Sequence, residues 1–247
     1  MGVAAWCFST VFVALGSAFL IGGLMLLGGH GAVVWAEQWV PSGLTALLIA
    51  TVPLWMVLSG WLRGGSRPNV RVTAGLMLGF VGVALLAGGV KSLGESHVDL
   101  ASAVVLVVGA FFWANGSLYS RSARLPSSPL LATAMEMVAG GILLLVASLV
   151  AGEWTRLRLD QVSVLSMLSW VYLIVFGSLV AFTSYIWLLK VTTPARVSTY
   201  AYVNPVVAML LGWGLNNESL TLRNVIAAGV ILAAVVVITM YQAKAKK

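Results

Sequence analysis

The sequence predicts an all-α protein that crosses a membrane about eight times. Three observations carry that prediction. Of 247 residues, 60% are hydrophobic and only 9% are charged, with a mean hydropathy of +1.02. A soluble domain carries roughly 25% charged residues, so a globule of this composition could not be wrapped in water. The apolar residues also fall in runs of about 20, the length that crosses a hydrocarbon core about 30 Å thick at about 1.5 Å per residue. Finally, the alternating strand pattern of an outer-membrane barrel is absent.

Eight runs read as spans. Leu20–Trp39 carries His30 and Glu37, seven residues apart on one helical face. Leu44–Leu62 follows Pro41 and contains Pro53. Val72–Val90 spaces Gly75, Gly79 and Gly82 along one face, a pattern for close helix packing either within a subunit or in a homodimer. Leu100–Tyr119 holds Trp113 and the i, i+4 pair Asn115 and Tyr119, and Leu130–Ala151 holds Glu136 about one-third of the way along. Val164–Leu189 ends with Tyr185 and Trp187 before Lys190. Val197–Leu215 sets Tyr200 and Asn204 as another i, i+4 pair just before Pro205, with Tyr202 on an adjacent face. Asn224–Tyr241 is the last span, and a basic tail, 242–247, closes the chain.

Residues 1–19 are apolar but carry no positive charge, which argues against a secretory leader. They read as a partial extra helix, an interfacial segment or a start unlike that of related chains. Cys7 is the only cysteine, which excludes an internal disulfide. No zinc spacing, P-loop, GxSxG or HExxH motif is present, so neither a metal nor a cofactor is expected.

The net charge of +7 would suggest nucleic acid in a soluble protein. Its distribution says otherwise. Arg63, Arg67, Arg71, Arg121, Arg124, Lys190, Arg196, Lys244, Lys246 and Lys247 all fall in connections on one side of the predicted topology, with no acidic residue among them. The opposite side mixes Lys91, Arg156, Arg158 and Arg223 with Glu95, Asp99, Glu153, Asp160 and Glu218. The positive-inside rule places the first set and the C-terminus in the cytoplasm.

The chain also repeats itself. "VPSGLTALLIATVPLWMVLSGWL" (40–62) and "TPARVSTYAYVNPVVAMLLGWGL" (193–215) each open on X-Pro, at Pro41 and Pro194. Each has a second proline 12 or 11 residues on, then Gly-Trp at a fixed offset, Gly60-Trp61 and Gly212-Trp213. The copies fall in the second and seventh predicted spans, an odd separation of five, so they run in opposite directions. Inverted repeats are a transporter architecture with a substrate site near the midplane. Pro41 and Pro194 suit a first helical turn. Pro53 and Pro205, read as mid-helix, each remove a backbone hydrogen bond and kink the rod, which a membrane tolerates where the freed carbonyl is buried in protein or faces a wet cavity.

The stretches "AEQWVPSG…TVPL", "STYAYVNPVVAMLLGW" and "ESLT" resemble the EamA-type carriers of the drug/metabolite transporter superfamily. The resemblance covers roughly residues 18–241. It implies a bundle built from two inverted five-helix repeats and export of small metabolites or drugs across the bacterial inner membrane. On that pattern 20–90 is a first repeat of three helices and 99–241 a second repeat of five. The family's first two helices have no counterpart here, so the alternative is a subunit that does not transport alone or that needs a partner to complete the bundle.

Two carboxylates lie inside the predicted spans, and a charge at bilayer depth costs about 2.5 to 3.5 kcal/mol on insertion scales. Glu136 reads either as a proton-coupling or substrate-contacting group or as a buried helix-joining glutamate. Glu37 is nearer a span end, where it can reach interfacial water. His30 with Glu37 reads as a histidine–carboxylate relay or as an interhelical hydrogen-bond partner. Trp113, Asn115, Tyr185, Tyr200 and Asn204 combine apolar bodies with polar tips and suit a cavity for semi-polar molecules. Trp39, Trp154 and Trp170 read as interfacial belt residues. The expectation is a non-enzymatic carrier moving a small molecule by alternating access, driven by a proton or substrate gradient.

Overall fold

A computed structural model describes residues 2–40, 42–65, 67–86, 100–156, 158, 162–216 and 221–244. Helices make up almost all of it, and no strand occurs among the described residues. Six helices are long and apolar enough to cross a membrane: Val11–Ala36, Thr45–Leu62, Leu100–Ser120, Pro129–Val150, Val164–Val191 and Leu222–Met240. Val70–Leu85 is a shorter apolar helix. The chain is a polytopic all-α membrane protein.

The first helix, α1, does not begin at Leu20. It runs without a break through Gly2–Gly22, a π-helical stretch Gly23–His30 and Gly31–Ala36. Nothing in residues 2–19 stops a helix: they contain neither proline nor a turn cluster, so the segment and the first span form one rod.

The next span is two helices, α2 (Ser42–Ile49) and α3 (Val52–Leu62). Pro53 therefore occupies the first turn of α3 and is not a mid-helix kink. The break falls at Ala50 and Thr51, where the Thr51 hydroxyl donates to the Leu48 carbonyl at 2.6 Å. Pro53 has no N–H to offer Ile49, which is why the rod divides here. Pro41 lies outside the described residues.

The second X-Pro unit divides at a different offset. After α4 (Val70–Leu86), α5 (Leu100–Ser120), α6 (Pro129–Val150) and α7 comes the short helix α8 (Pro194–Val197), with Pro194 in its first turn. Helix α7 is Val164–Tyr172, a π-helical stretch Leu173–Phe182 and Thr183–Val191. Then α9 (Tyr200–Asn216) carries Pro205 in its interior, as the sequence predicts. The break is at Ser198 and Thr199, and the Thr199 hydroxyl donates to the Arg196 carbonyl at 2.7 Å, the device used by Thr51. The π-helical stretches of α1 and α7 end 11 and 12 residues before Pro41 and Pro194.

The last helix, α10 (Leu222–Lys244), lies along α4. The glycines of α4 make that approach. A Cβ on Gly75 would stand 2.8 Å from the Ile238 side chain, and one on Gly82 would stand 2.7 Å from that of Ile231. A Cβ on Gly79 would stand 2.7 Å from the ring of the fully buried Tyr202, whose hydroxyl donates to the Leu76 carbonyl at 3.0 Å. The stripe is thus consumed inside one subunit and lends no support to a homodimer. Between helices in lipid, contact packing and not water exclusion supplies the attraction. Gly79→Val is therefore expected to cost about 1–3 kcal/mol by overpacking. It should lower the unfolding temperature in detergent, while Ala74→Val on the exposed face should not.

Candidate functional site

Two buried clusters flank the middle of the bundle. One joins Leu47 and Ala50 to Tyr202, Val206 and Ile231, and the other joins Met25, Val52 and Met56 to Ala110, Phe182 and Ile186. Between them lies a cavity of about 360 Å³. Its walls are Gly29, His30, Val33 and Glu37 from α1 and the turn after it, and Thr45, Ala46, Ile49 and Val52 from the first X-Pro unit. Gly109 and Trp113 of α5 and Tyr200, Ala201, Asn204 and Pro205 of α9 complete it. From Glu37 to Gly29 the wall runs eight residues, about 12 Å of helix toward the bilayer middle.

Of the residues singled out from the sequence, His30, Glu37, Trp113, Tyr200, Asn204 and Pro205 line this cavity. Pro205 offers no N–H to the Ala201 carbonyl, and both residues are wall residues. His30 and Glu37 are exposed into it, and the His30 ring lies 6.3 Å from the Trp113 indole.

Tyr185 stands behind the wall. Its hydroxyl accepts from Trp113 Nε1 at 3.2 Å and pairs with Ser117 Oγ at 2.7 Å, while Ser117 donates to the Trp113 carbonyl at 2.7 Å. With its proton so placed, Ser117 accepts from Tyr185, and the three groups satisfy one another. The Tyr185 ring also meets Tyr200 edge-on at 5.3 Å. Tyr185 braces two wall residues and is not itself part of the wall.

Asn115 and Glu136 lie away from the cavity. Asn115 Oδ1 accepts from Arg63 at 2.8 Å and its amide donates to the Phe111 carbonyl at 2.8 Å, tying the end of α3 to α5. Near the same end, Ser17 Oγ and the Tyr119 hydroxyl are 3.3 Å apart and tie α1 to α5. Glu136 is fully buried: Ser120 Oγ donates to its Oε1 at 3.0 Å, and neither its Oε2 nor the Thr133 hydroxyl has a partner among the described residues. Pro53 is outside the wall.

Sequence reasoning missed Thr45 and Ser117. Thr45 is a wall residue whose buried hydroxyl has no partner among the described residues. Its place four residues after Pro41, within the repeated unit, was the available signal. Ser117 follows Trp113 by one helical turn, which was its signal. No cluster of three or more metal-ligating side chains exists among the described residues.

Comparison with known proteins agrees with this architecture. Residues 100–240 match the model of the EamA-like transporter family. The chain is 39% identical over 226 residues to the uncharacterized inner membrane transporter YedA of Escherichia coli (strain K12), a match covering 91% of this chain and 71% of that protein. It is 24% identical over 221 residues to the uncharacterized transporter YoaV of Bacillus subtilis (strain 168), covering 86% of this chain and 71% of that one. A crystal structure superposes with a TM-score of 0.71 at 19% identity, over 99% of this chain and 94% of its own, and so shares the fold. A non-enzymatic, polytopic helical bundle with these matches belongs to the EamA-like transporter family.

Proposed function

We propose that the chain is a secondary active transporter exporting small organic molecules, amino-acid-like metabolites or drugs, across the bacterial inner membrane by alternating access. The observation that supports this most is the cavity between the two X-Pro units: Thr45, Ala46, Ile49 and Val52 face Tyr200, Ala201, Asn204 and Pro205 across it. Its volume falls within the roughly 300–1,000 Å³ of small-molecule sites. Glu37 and His30 offer a charged and a hydrogen-bonding contact, Trp113 and Tyr200 offer aromatic faces, and Asn204 and the spare Thr45 hydroxyl offer polar tips.

The two X-Pro units form the inverted repeat on which the cavity is built. With the ten-cation side inward, the Glu37 end opens outside, and Arg63–Asn115 and Ser17–Tyr119 close the cytoplasmic end. Glu136, apart from the organic cavity, is the proton-coupling group.

The test is flux in vesicles. A labelled panel of amino acids and drugs would be driven by a pH gradient, and exchange of labelled for unlabelled substrate would be followed in parallel. Glu136→Gln keeps an acceptor for Ser120 and cannot titrate. It should abolish gradient-driven flux and retain exchange, whereas Glu37→Gln should weaken both. Gradient-driven flux that survives Glu136→Gln removes the carboxyl from coupling.

A second reading has its own support. Within Val164–Val191, no residue of the most apolar window is buried. An incomplete bundle would leave a helix so, and a partner supplying further helices would cover it. That reading predicts insertion without flux.

A further inference from the structure

A second concave surface runs along the outside of α1 and α6, away from the cavity just described. Its wider part, about 520 Å³, is lined by Val11, Val13, Ala14, Leu15, Leu131, Met135 and the connection Arg124–Leu125–Pro126. A narrower part of about 300 Å³ continues from it along Ala18, Phe19, Val138, Ala139 and Ile142. Leu15 and Met135 belong to both, so the two parts are one groove. From Leu131 to Ile142 it follows eleven residues of α6, about 17 Å, close to one leaflet of a hydrocarbon core about 30 Å thick.

The groove's chemistry is sharply divided. Every side chain along the helices is apolar, and the one charged group is Arg124 at the wide end. The connection 121–128 carries a second cation, Arg121, and no carboxylate. The nearest acid on α6 is Glu136, and it turns inward to Ser120 while its neighbour Met135 faces the groove. An apolar trough of leaflet length with a guanidinium at its mouth that meets no carboxylate among the described residues is complementary to one kind of molecule in a membrane. Its acyl chain lies in the trough and its anionic phosphate meets the arginine, whose fork matches phosphate oxygens.

We propose that the α1–α6 groove is a binding site for an anionic phospholipid, with an acyl chain along Leu15 and Met135 and the headgroup phosphate on Arg124. The site is separate from the transport cavity, and it stands whether or not the transport reading does. Among membrane lipids it selects by headgroup charge at Arg124 and accepts any straight acyl chain.

The experiment is native mass spectrometry of the full chain after reconstitution in nanodiscs. One set contains phosphatidylcholine alone and the other contains phosphatidylcholine and phosphatidylglycerol at a fixed ratio. The wild-type chain should retain one phosphatidylglycerol in preference to phosphatidylcholine. Arg124→Gln should lower that retention about tenfold, while Arg124→Lys should keep most of it, and Arg67→Gln, in a different connection, should not change it. Leu15→Trp, which fills the trough where its two parts join, should reduce retention of both lipids. Equal retention of the two lipids by the wild type, or unchanged retention in Arg124→Gln, overturns headgroup recognition. Unchanged retention in Leu15→Trp overturns the placement of the chain.

Discussion

Gly22→Leu is expected to prevent assembly of the bundle. A Cβ at this position would lie 2.6 Å from the Gly140 nitrogen, 2.8 Å from the Glu136 carbonyl oxygen and 2.9 Å from Gly140 Cα. All three are backbone atoms, so no rotamer change can clear them. Helix α1 would have to move away from α6, taking Leu26 off Gly140, whose own Cβ position Leu26 occupies. Overpacking commonly costs about 1–3 kcal/mol where side chains can yield, and a clash with backbone sits at or beyond the top of that range. The same shift would disturb the burial of Glu136 beside Ser120. The measurement is detergent-extracted yield and unfolding temperature, with Gly16→Leu and Gly141→Leu as controls because both have open space at the Cβ position. A Gly22→Leu protein that elutes and melts like the wild type would show that the two backbones do not approach so closely.

This contact also marks the limit of what the sequence made legible. Class followed from run length, because crossing a membrane imposes a length that composition alone reveals, and six of the eight predicted runs are helices long and apolar enough to cross among the described residues. Which faces meet did not follow, since an apolar helix has no polar face to orient it. Gly22, Gly116 and Gly140 are scattered along three helices, and only the neighbouring helix each one meets shows why it is glycine. The breaks were half legible. Pro53 and Pro205 flagged two places in the repeated units, but the chain divides before α3 in one and at Ser198–Thr199, six residues ahead of the second proline, in the other. A proline says that a hydrogen bond is missing, and packing decides where the helix stops. In the cavity, residues of high chemical character such as His30, Glu37, Trp113, Tyr200 and Asn204 were found by type and spacing. Glu136 and Asn115 have the same character but lie outside the cavity, paired with Ser120 and Arg63, a distinction that only side-chain partners make.

Trp113→Ala is expected to produce the largest functional effect. The indole is the point where the cavity wall and its support are the same object. One edge packs on α1, where a Cβ at Gly29 would stand 3.0 Å from Trp113 Cε3. Its ring meets Phe182 edge-on at 6.2 Å and Tyr185 at 5.8 Å, and Nε1–H donates to Tyr185. Tyr185 in turn touches Tyr200 on the opposite wall. Truncation to alanine removes ring contacts worth about 3–5 kcal/mol in a core setting, opens the cavity toward Phe182 and removes the N–H that Tyr185 accepts from. If the cavity holds the substrate, exchange flux should fall at least tenfold, on the order of 1.4 kcal/mol in affinity or more. Substrate should also stabilise the variant against heat less than it does the wild type. Trp113→Phe keeps an aromatic face and loses only the N–H, so it should lie between the two. The ordering decides what the residue does. A graded loss from tryptophan through phenylalanine to alanine means that the ring forms the site. Equal loss in both variants means that the Tyr185 hydrogen bond holds the wall in place. Wild-type flux in Trp113→Ala means that the substrate passes elsewhere, and that this cavity is packing space between two clusters.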